Sequence, residues 1–215
     1  MIANQKLIAN DGKEVMLFPL PYMYISQPEG GSYSHAGTLQ IDFLGWDANG
    51  RVYNCPYYAP CTCRCVATTD ASTNNRVYQS TSEVHLADGT TGYVTFEMAH
   101  DNFPAHGVGE IIQQGALLGH TGTATGVGDH MHFQCARGTY AGWTQNQYGN
   151  WMLVNEMHIY DACYVNDTVI VDGENYNWRT YDGPIEPTEE KKKHEFKWVL
   201  YARKFREGRW SDGIK

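Results

Sequence analysis

The sequence predicts a mainly β protein with an antiparallel sheet at its core and few short helices. Three observations support this class. The 215 residues include 15 tyrosines, 22 glycines and 6 tryptophans, and only 19% are charged. Several segments alternate apolar and polar residues with the period of two that a strand requires. No segment has the apolar period of an amphipathic helix longer than two turns. This combination is typical of β-rich chains rather than helical bundles.

The alternating segments are residues 37–46 (GTLQIDFLGW), 76–86 (RVYQSTSEVHL) and 92–100 (GYVTFEMAH). The last two are joined by ADGTTG, in which Asp88-Gly89 is a turn signal, so we expect a hairpin. Residues 109–135 hold short apolar runs interrupted by glycines, which predicts tight β-turns rather than helix.

The composition divides the chain into three parts. We expect one domain, long enough to be a catalytic domain, over residues 1–182, a Pro- and charge-rich linker over 183–194, and a small basic element over 195–215. The basic residues are concentrated after residue 190, where they form either a solvated tail, a contact to an anionic surface, or the start of a further module.

Charge and hydropathy exclude several classes. The net charge of −8 argues against nucleic acid as the main partner, because such proteins show a basic footprint. The sequence lacks the 18 consecutive apolar residues of a membrane span, and residues 1–20 lack the apolar core of a signal peptide.

Six cysteines are present, three of them in the run CTCRC (61–65). Cys61, Cys63 and Cys65 share one face of a predicted strand, where neighbours make poor disulfide partners. The CxC spacing also differs from the CxxC of zinc knuckles. We interpret these thiols as small buried apolar groups, with a disulfide or a second metal site as the alternatives.

A pair of histidines opens the last alternating run. His130 and His132, in GDHMHFQCARG (128–138), are one residue apart, so on a strand both imidazoles point to the same face. A catalytic zinc takes three protein ligands, through His nitrogen or carboxylate oxygen, and leaves one position open. The pair alone is weak evidence for a metal, because paired histidines also occur on solvated strand faces, so residues elsewhere must decide.

Two upstream segments offer partners for that pair. His35 and Asp42 lie in SHAGTLQIDF (34–43), where the aspartate stands among apolar residues. An enclosed, unpaired carboxylate is costly, so Asp42 either has a partner or faces solvent together with Gln40. His100 ends the strand of residues 92–100, on the parity of its apolar face.

Taken in order, these segments resemble the lysostaphin-type zinc endopeptidases that cut bacterial peptidoglycan. The resemblance rests on SHAGTLQIDF (34–43), FEMAHDN (96–102) and GALLGHTGTATGVGDHMHFQ (115–134), with YAPCTCRCV (58–66) as a weaker match. The third segment is the most specific, because it combines the family's glycine-rich turn with His-x-His-Phe. The resemblance covers roughly residues 20–140.

One spacing departs from lysostaphin itself. Six residues separate His35 from Asp42, where lysostaphin and its nearest relatives have three. The longer spacing also occurs in the D-Ala-D-Ala peptidases, which share the His-x-His element. The glycine-rich approach to His130 favours the lysostaphin type.

The resemblance implies a lysostaphin-like fold with zinc in a groove, held by His35, Asp42 and His132. It also implies that His100 and His130 flank the reacting water and the substrate carbonyl without binding the metal. An imidazole whose pKa is near 6.5 can accept or donate a proton at neutral pH. We expect the other histidines to play no part in the site.

The implied function is hydrolysis of a stem-peptide or cross-bridge amide of bacterial peptidoglycan by a phage lysin or virion-associated enzyme. Such an enzyme acts at the bacterial wall, is carried in the virion or released at lysis, and has other tail or lysin modules as potential partners. The alternatives are an inactive wall-binding or tail module of the same fold and a D-Ala-D-Ala carboxypeptidase. Substrate-binding residues are not predicted: Tyr140, Trp143, Tyr148 and Trp151 either cover the β core or line a groove.

Overall fold

The structure, a computed structural model, describes residues 1–69 and 74–185. The regular secondary structure of the described residues is almost entirely β, as the sequence predicts, with one four-residue helix. The elements are β1 (Tyr22–Gln27), β2 (Ile41–Phe43), β3 (Trp46–Asp47), β4 (Gly50–Arg51), β5 (Pro56–Tyr58), β6 (Cys63–Thr68), β7 (Arg76–Ser80), β8 (Val84–His85), β9 (Thr91–Gly92), β10 (Val94–Ala99), β11 (Ile111–Ile112), β12 (Leu117–His120), β13 (Met131–Arg137), β14 (Trp143–Gln145), β15 (Trp151–Leu153), β16 (Glu156–Met157), α1 (Ile159–Ala162) and β17 (Val169–Asp172).

One large sheet organises these elements. Its strand order is β11-β6-β7-β10-β13-β2-β1-β17, with β16 also paired to β13. All of its pairs are antiparallel except β1 with β17. The strands β10 and β13 lie at its centre and pair over their whole common length. No helix in the described part of the chain has the length and apolar character needed to cross a membrane.

The central strands present two chemically different faces. Phe96 on β10, Phe133 on β13 and Phe43 on β2 are fully buried in the main apolar core. The alternate positions carry Glu97 and Gln134, which pair across the two strands on the other face. One face of the sheet therefore forms the core, and the other carries polar side chains beneath a second layer.

The predicted hairpin is present, and two predicted strands are shorter than expected. The strands β8 and β9 close the turn at Asp88-Gly89, and β7 and β10 pair antiparallel beyond it. Of residues 37–46, only 41–43 join the large sheet, because the backbone N–H of Leu39 donates to the side chain of Glu156 rather than to a neighbouring strand. Residues 76–86 are divided into β7 and β8.

All six cysteines are buried free thiols, in agreement with their interpretation as small apolar side chains. Cys61, Cys63 and Cys65 belong to the main core. Burial raises the pKa of the Cys61 and Cys63 thiols well above the ordinary value, so both stay protonated and unreactive.

The first residues of the predicted linker pack on the beginning of the chain. The carbonyl of Pro184 accepts a hydrogen bond from Asn10, and Ile185 forms a β-bridge with Ala9. The remainder of the predicted linker, residues 186–194, and the basic element at 195–215 lie outside the described residues.

We expect Phe133→Ala to lower the free energy of unfolding by about 3–5 kcal/mol, because it opens a cavity beside the core residues Phe43 and Phe96. Urea denaturation followed by tryptophan fluorescence measures this change. Phe103→Ala is the matched control: that side chain is 87% exposed, and its loss should change the free energy by less than about 0.5 kcal/mol. Equal effects of the two substitutions would contradict the assignment of the core.

Candidate metal centre

Strand pairing brings two of the predicted metal ligands together. In β13, His132 is directly opposite Asp42 of β2 on one side and Ala99 of β10 on the other. Because directly opposed residues point to the same face, the imidazole and the carboxylate project together from the polar face of the sheet. The Nδ1 atom of His132 lies 2.9 Å from Oδ1 of Asp42.

The third predicted ligand, His35, comes from the loop between β1 and β2. Its side chain is fully buried, and its Nδ1 atom lies 3.2 Å from the carbonyl of Pro28. A proton on Nδ1 donates to that carbonyl and leaves the Nε2 lone pair free. This Nε2 atom is 3.2 Å from Oδ1 of Asp42 and 3.3 Å from Nδ1 of His132.

These three atoms match the donor set of a catalytic zinc site. Zinc bound to nitrogen and oxygen at about 2.0–2.1 Å in a tetrahedral arrangement separates its ligand atoms by about 3.3 Å. The three observed separations are 2.9, 3.2 and 3.3 Å. The group formed by His35, Asp42 and His132 therefore has the composition and the spacing to hold one metal ion.

The carboxylate of Asp42 is held in its charged form. Burial favours the neutral acid, but hydrogen bonds with His130, His132 and His35 outweigh it and hold the pKa of Asp42 well below its ordinary value. Its other oxygen, Oδ2, accepts a hydrogen bond from Gln27 at 3.2 Å, which orients Oδ1 toward the imidazoles.

The backbone at His100 corrects the face expected from strand parity. Alternation along β10 would direct this side chain to the apolar core, but the strand ends at Ala99 and His100 has a φ of 73°. This left-handed conformation turns the imidazole toward the polar face, where its centroid is 4.6 Å from that of His130. A Cβ atom at Gly122 would lie 2.1 Å from the carbonyl oxygen of His100, so the glycine-rich turn can approach here only because it lacks a side chain.

The imidazoles of His100 and His130 are held in the same way, each through a contact of Nδ1 with a backbone carbonyl. The Nδ1 atom of His100 lies 3.0 Å from the carbonyl of Ala124, and that of His130 lies 2.6 Å from the carbonyl of Gly128. With Nδ1 bonded to backbone in each ring, Nε2 is the atom that remains for chemistry. The Nε2 atom of His130 is 3.5 Å from Oδ1 of Asp42.

The two rings differ in proton affinity. Burial, reinforced by His132 and His130, lowers the pKa of His100 to about 4, so this ring is neutral at pH 7. Burial also disfavours the charged form of His130, but its hydrogen bond with Asp42 more than compensates and raises its pKa. The pair therefore offers one neutral imidazole and one with a greater tendency to hold a proton.

Four of the five predicted residues line one groove of about 560 Å³, and the fifth, His35, is fully buried. Trp151 lines this groove and is 61% exposed. Tyr140 and Trp143 instead pack on a buried cluster of the sheet, and the Tyr148 ring lies against Gly37. The four aromatic residues between positions 140 and 151 thus contribute both a covering layer and one groove residue. The groove is lined by Tyr33, Ser34, Gln40, Asp42, Asn75, Ala99, His100, Gly126, Val127, Gly128, His130, His132, Asn150 and Trp151.

The other described histidines do not line the groove. Three of them are paired with acidic side chains: His85 with Asp11, His106 with Glu110, and His158 with Glu29. The described residues do not include His194.

The sequence does not reveal the groups that orient the five site residues. Gln27 orients Asp42, and the backbone carbonyls of Pro28, Ala124 and Gly128 fix three imidazoles. Backbone carbonyls carry no signal in side-chain identity, and Gln27 lies in a strand with no distinguishing pattern.

Comparison with known proteins gives sequence relatives and several structural likenesses. No family model matches the chain. It is 39% identical over 173 residues to "Morphogenesis protein 1" of Bacillus phage B103, an alignment that covers 80% of this chain and 46% of that protein. The chain therefore spans less than half the length of this curated relative.

Three solved structures are similar at lower identity. The lysostaphin catalytic domain from Staphylococcus simulans has a TM-score of 0.39 and 16% identity, covering 55% of this chain and 80% of that one. A zinc-containing peptidase from Vibrio cholerae gives 0.40 and 15%, covering 69% and 44%. A putative M23 peptidase from Pseudomonas aeruginosa gives 0.41 and 18%, covering 64% and 50%.

Proposed function

We propose that this chain is a zinc-dependent endopeptidase of the lysostaphin type that hydrolyses a peptide bond in bacterial peptidoglycan. The observation that carries the proposal is the convergence of one carboxylate and four imidazoles from four separate parts of the chain. Three of their atoms have the spacing of zinc ligands, and the two remaining rings face the same groove. A structural sheet protein has no need for five such side chains at one point.

In this proposal, His35, Asp42 and His132 hold the zinc. Bound zinc supplies a Lewis acid that polarises a carbonyl and lowers the pKa of a coordinated water to about 7. Pro28 fixes the tautomer of His35, and Gln27 holds the second oxygen of Asp42, so the ligand atoms are preoriented.

The two other imidazoles supply the proton chemistry. His100 is neutral at pH 7, so its Nε2 atom can accept a proton from the attacking water. His130 holds its proton more strongly and can donate at Nε2 to the developing oxyanion, and then to the leaving amine. Both rings line the one groove, which would receive the substrate peptide.

The phage relative supports the biological setting of the proposal. The name of that relative, morphogenesis protein, fits an enzyme that is carried in a virion and opens the bacterial wall. The motif resemblance over residues 34–134 supplies the substrate class. The greater length of that relative is consistent with further lysin or tail modules as partners.

We expect the purified chain to bind one zinc ion, and His132→Ala to lose it, because that substitution removes one of three ligands. Metal content after dialysis, measured by inductively coupled plasma mass spectrometry, tests this. His85→Ala is the matched control, since that histidine lies outside the groove and should leave the zinc content unchanged. Stoichiometric zinc in the His132 variant would contradict the ligand assignment.

We expect His130→Ala and His100→Asn to retain zinc but to lose about 10²–10⁴-fold in turnover, the contribution typical of general acid–base groups. Asparagine is chosen at position 100 because it tolerates the left-handed backbone there. Turnover is measured on purified cell walls from bacteria with different cross-bridges.

The products of that digestion separate the candidate functions. New amino termini inside the cross-linked peptide are the expected result for an endopeptidase. Release of terminal D-Ala alone would indicate a carboxypeptidase, and wall binding without any new terminus would indicate an inactive module.

A further inference from the structure

We propose that the hairpin formed by β14 and β15 positions His35, and that Asn146 and Asn150 are the positioning residues. The proposal rests on the proposed function, because it concerns how one of the proposed zinc ligands is held. His35 belongs to a loop outside the strand ladder, so the position of its ring depends on what fixes that loop.

The tip of the hairpin binds the backbone directly after His35. Asn146 Nδ2 donates to the carbonyls of Ala36 at 2.8 Å and Gly37 at 3.0 Å. Asn150 Nδ2 donates to the carbonyl of Ala36 at 3.0 Å. Three hydrogen bonds therefore hold the two residues that follow the proposed ligand.

The amide of Asn146 has a defined orientation. Its Oδ1 atom accepts hydrogen bonds from the backbone N–H groups of Tyr148 and Asn150, at 2.9 and 3.1 Å. With the oxygen occupied inside the turn, the NH₂ group must point outward to the loop of His35. The Tyr148 ring adds a packing contact, because a Cβ atom at Gly37 would lie 2.9 Å from it.

The base of the hairpin is bonded to the strands that carry the rest of the site. Trp143 Nε1 donates to Glu97 Oε2 of β10 at 2.6 Å, and the backbone N–H of Leu153 donates to Gln134 Oε1 of β13 at 2.9 Å. Glu97 and Gln134 are themselves bonded at 2.9 Å. These bonds give a structural role to the buried carboxylate of Glu97, which has no part in the proposed reaction.

The contacts form one continuous path between two proposed ligands that are 97 residues apart in sequence. From His132, the path runs along β13 and β10 to the base of the hairpin, and from its tip to the loop of His35. Outer groups that orient metal ligands typically contribute 10- to 100-fold to metal affinity. We therefore assign the hairpin a role in metal affinity rather than in groove lining alone.

The test is the zinc dissociation constant of Asn146→Ala/Asn150→Ala, measured by competition with a chromophoric chelator. We expect a 10- to 100-fold increase over the wild-type chain. The matched control is Gln145→Ala on the same hairpin, whose side chain donates within the turn to the carbonyl of Gly149 and has no bond to the loop of His35 among the described residues. It should bind zinc as the wild type does. The unfolding midpoint of each metal-free variant is recorded in parallel.

Two results would overturn the inference. One is wild-type zinc affinity in the double variant, and the other is an equal loss in the Gln145 variant. If the double variant does not fold, Asn150→Ala decides by the same criteria, since it leaves both Asn146 bonds in place and should weaken binding about 3- to 10-fold, a fraction of the range for outer-shell groups. A wild-type chain that binds no zinc would remove the proposed function as well.

Discussion

The position of β13 between β2 and β10 is the constraint on which the site depends. Antiparallel register sets His132 opposite both Asp42 and Ala99, and the residue after Ala99 is His100. Side chains alternate with a period of two, so a slip of one residue would turn His132 into the core and a core phenylalanine into the groove. The aromatic contacts among Phe43, Phe96 and Phe133 stabilise the register, and with it the geometry of the site.

The same alternation explains why the polar face needs a second layer. Glu97 and Gln134 are buried on that face, and each is satisfied by hydrogen bonds from neighbouring strands or from the hairpin. Glu97 is almost fully buried, and this burial raises the pKa of its carboxyl group. Removing the Glu97 carboxylate would take the acceptor from both Gln134 Nε2 and Trp143 Nε1, and a buried donor left unpaired costs about 1–3 kcal/mol. The network therefore links the stability of the sheet to the placement of the hairpin.

Around this frame, local backbone features set the direction of each imidazole. Carbonyl groups of the chain fix the rings of His35, His100 and His130 through Nδ1. As a result, the neutral ring of His100 and the more basic ring of His130 meet in one groove with different proton affinities. The difference arises from their contacts, since Asp42 bonds His130 while buried His100 lies beside two other imidazoles.

The sequence alone determined the β class, the central strands and the five residues that the fold brings together. Alternation with a fixed period predicts the strands, whereas the five residues are implied by the motif resemblance, of which the glycine-rich turn before His130 is the most specific part. The sequence also placed His100 at the end of its strand. Strand parity directs this side chain to the apolar face, but a left-handed φ, which residue identity does not reveal, turns it to the polar face. Only the tertiary structure decided that Asn146 and Asn150 support His35, that Gln27 orients Asp42, and that Trp151 alone among four aromatic candidates lines the groove. These contacts join residues that are far apart in sequence and have no shared period, so they exist only once the sheet and the hairpin have packed together.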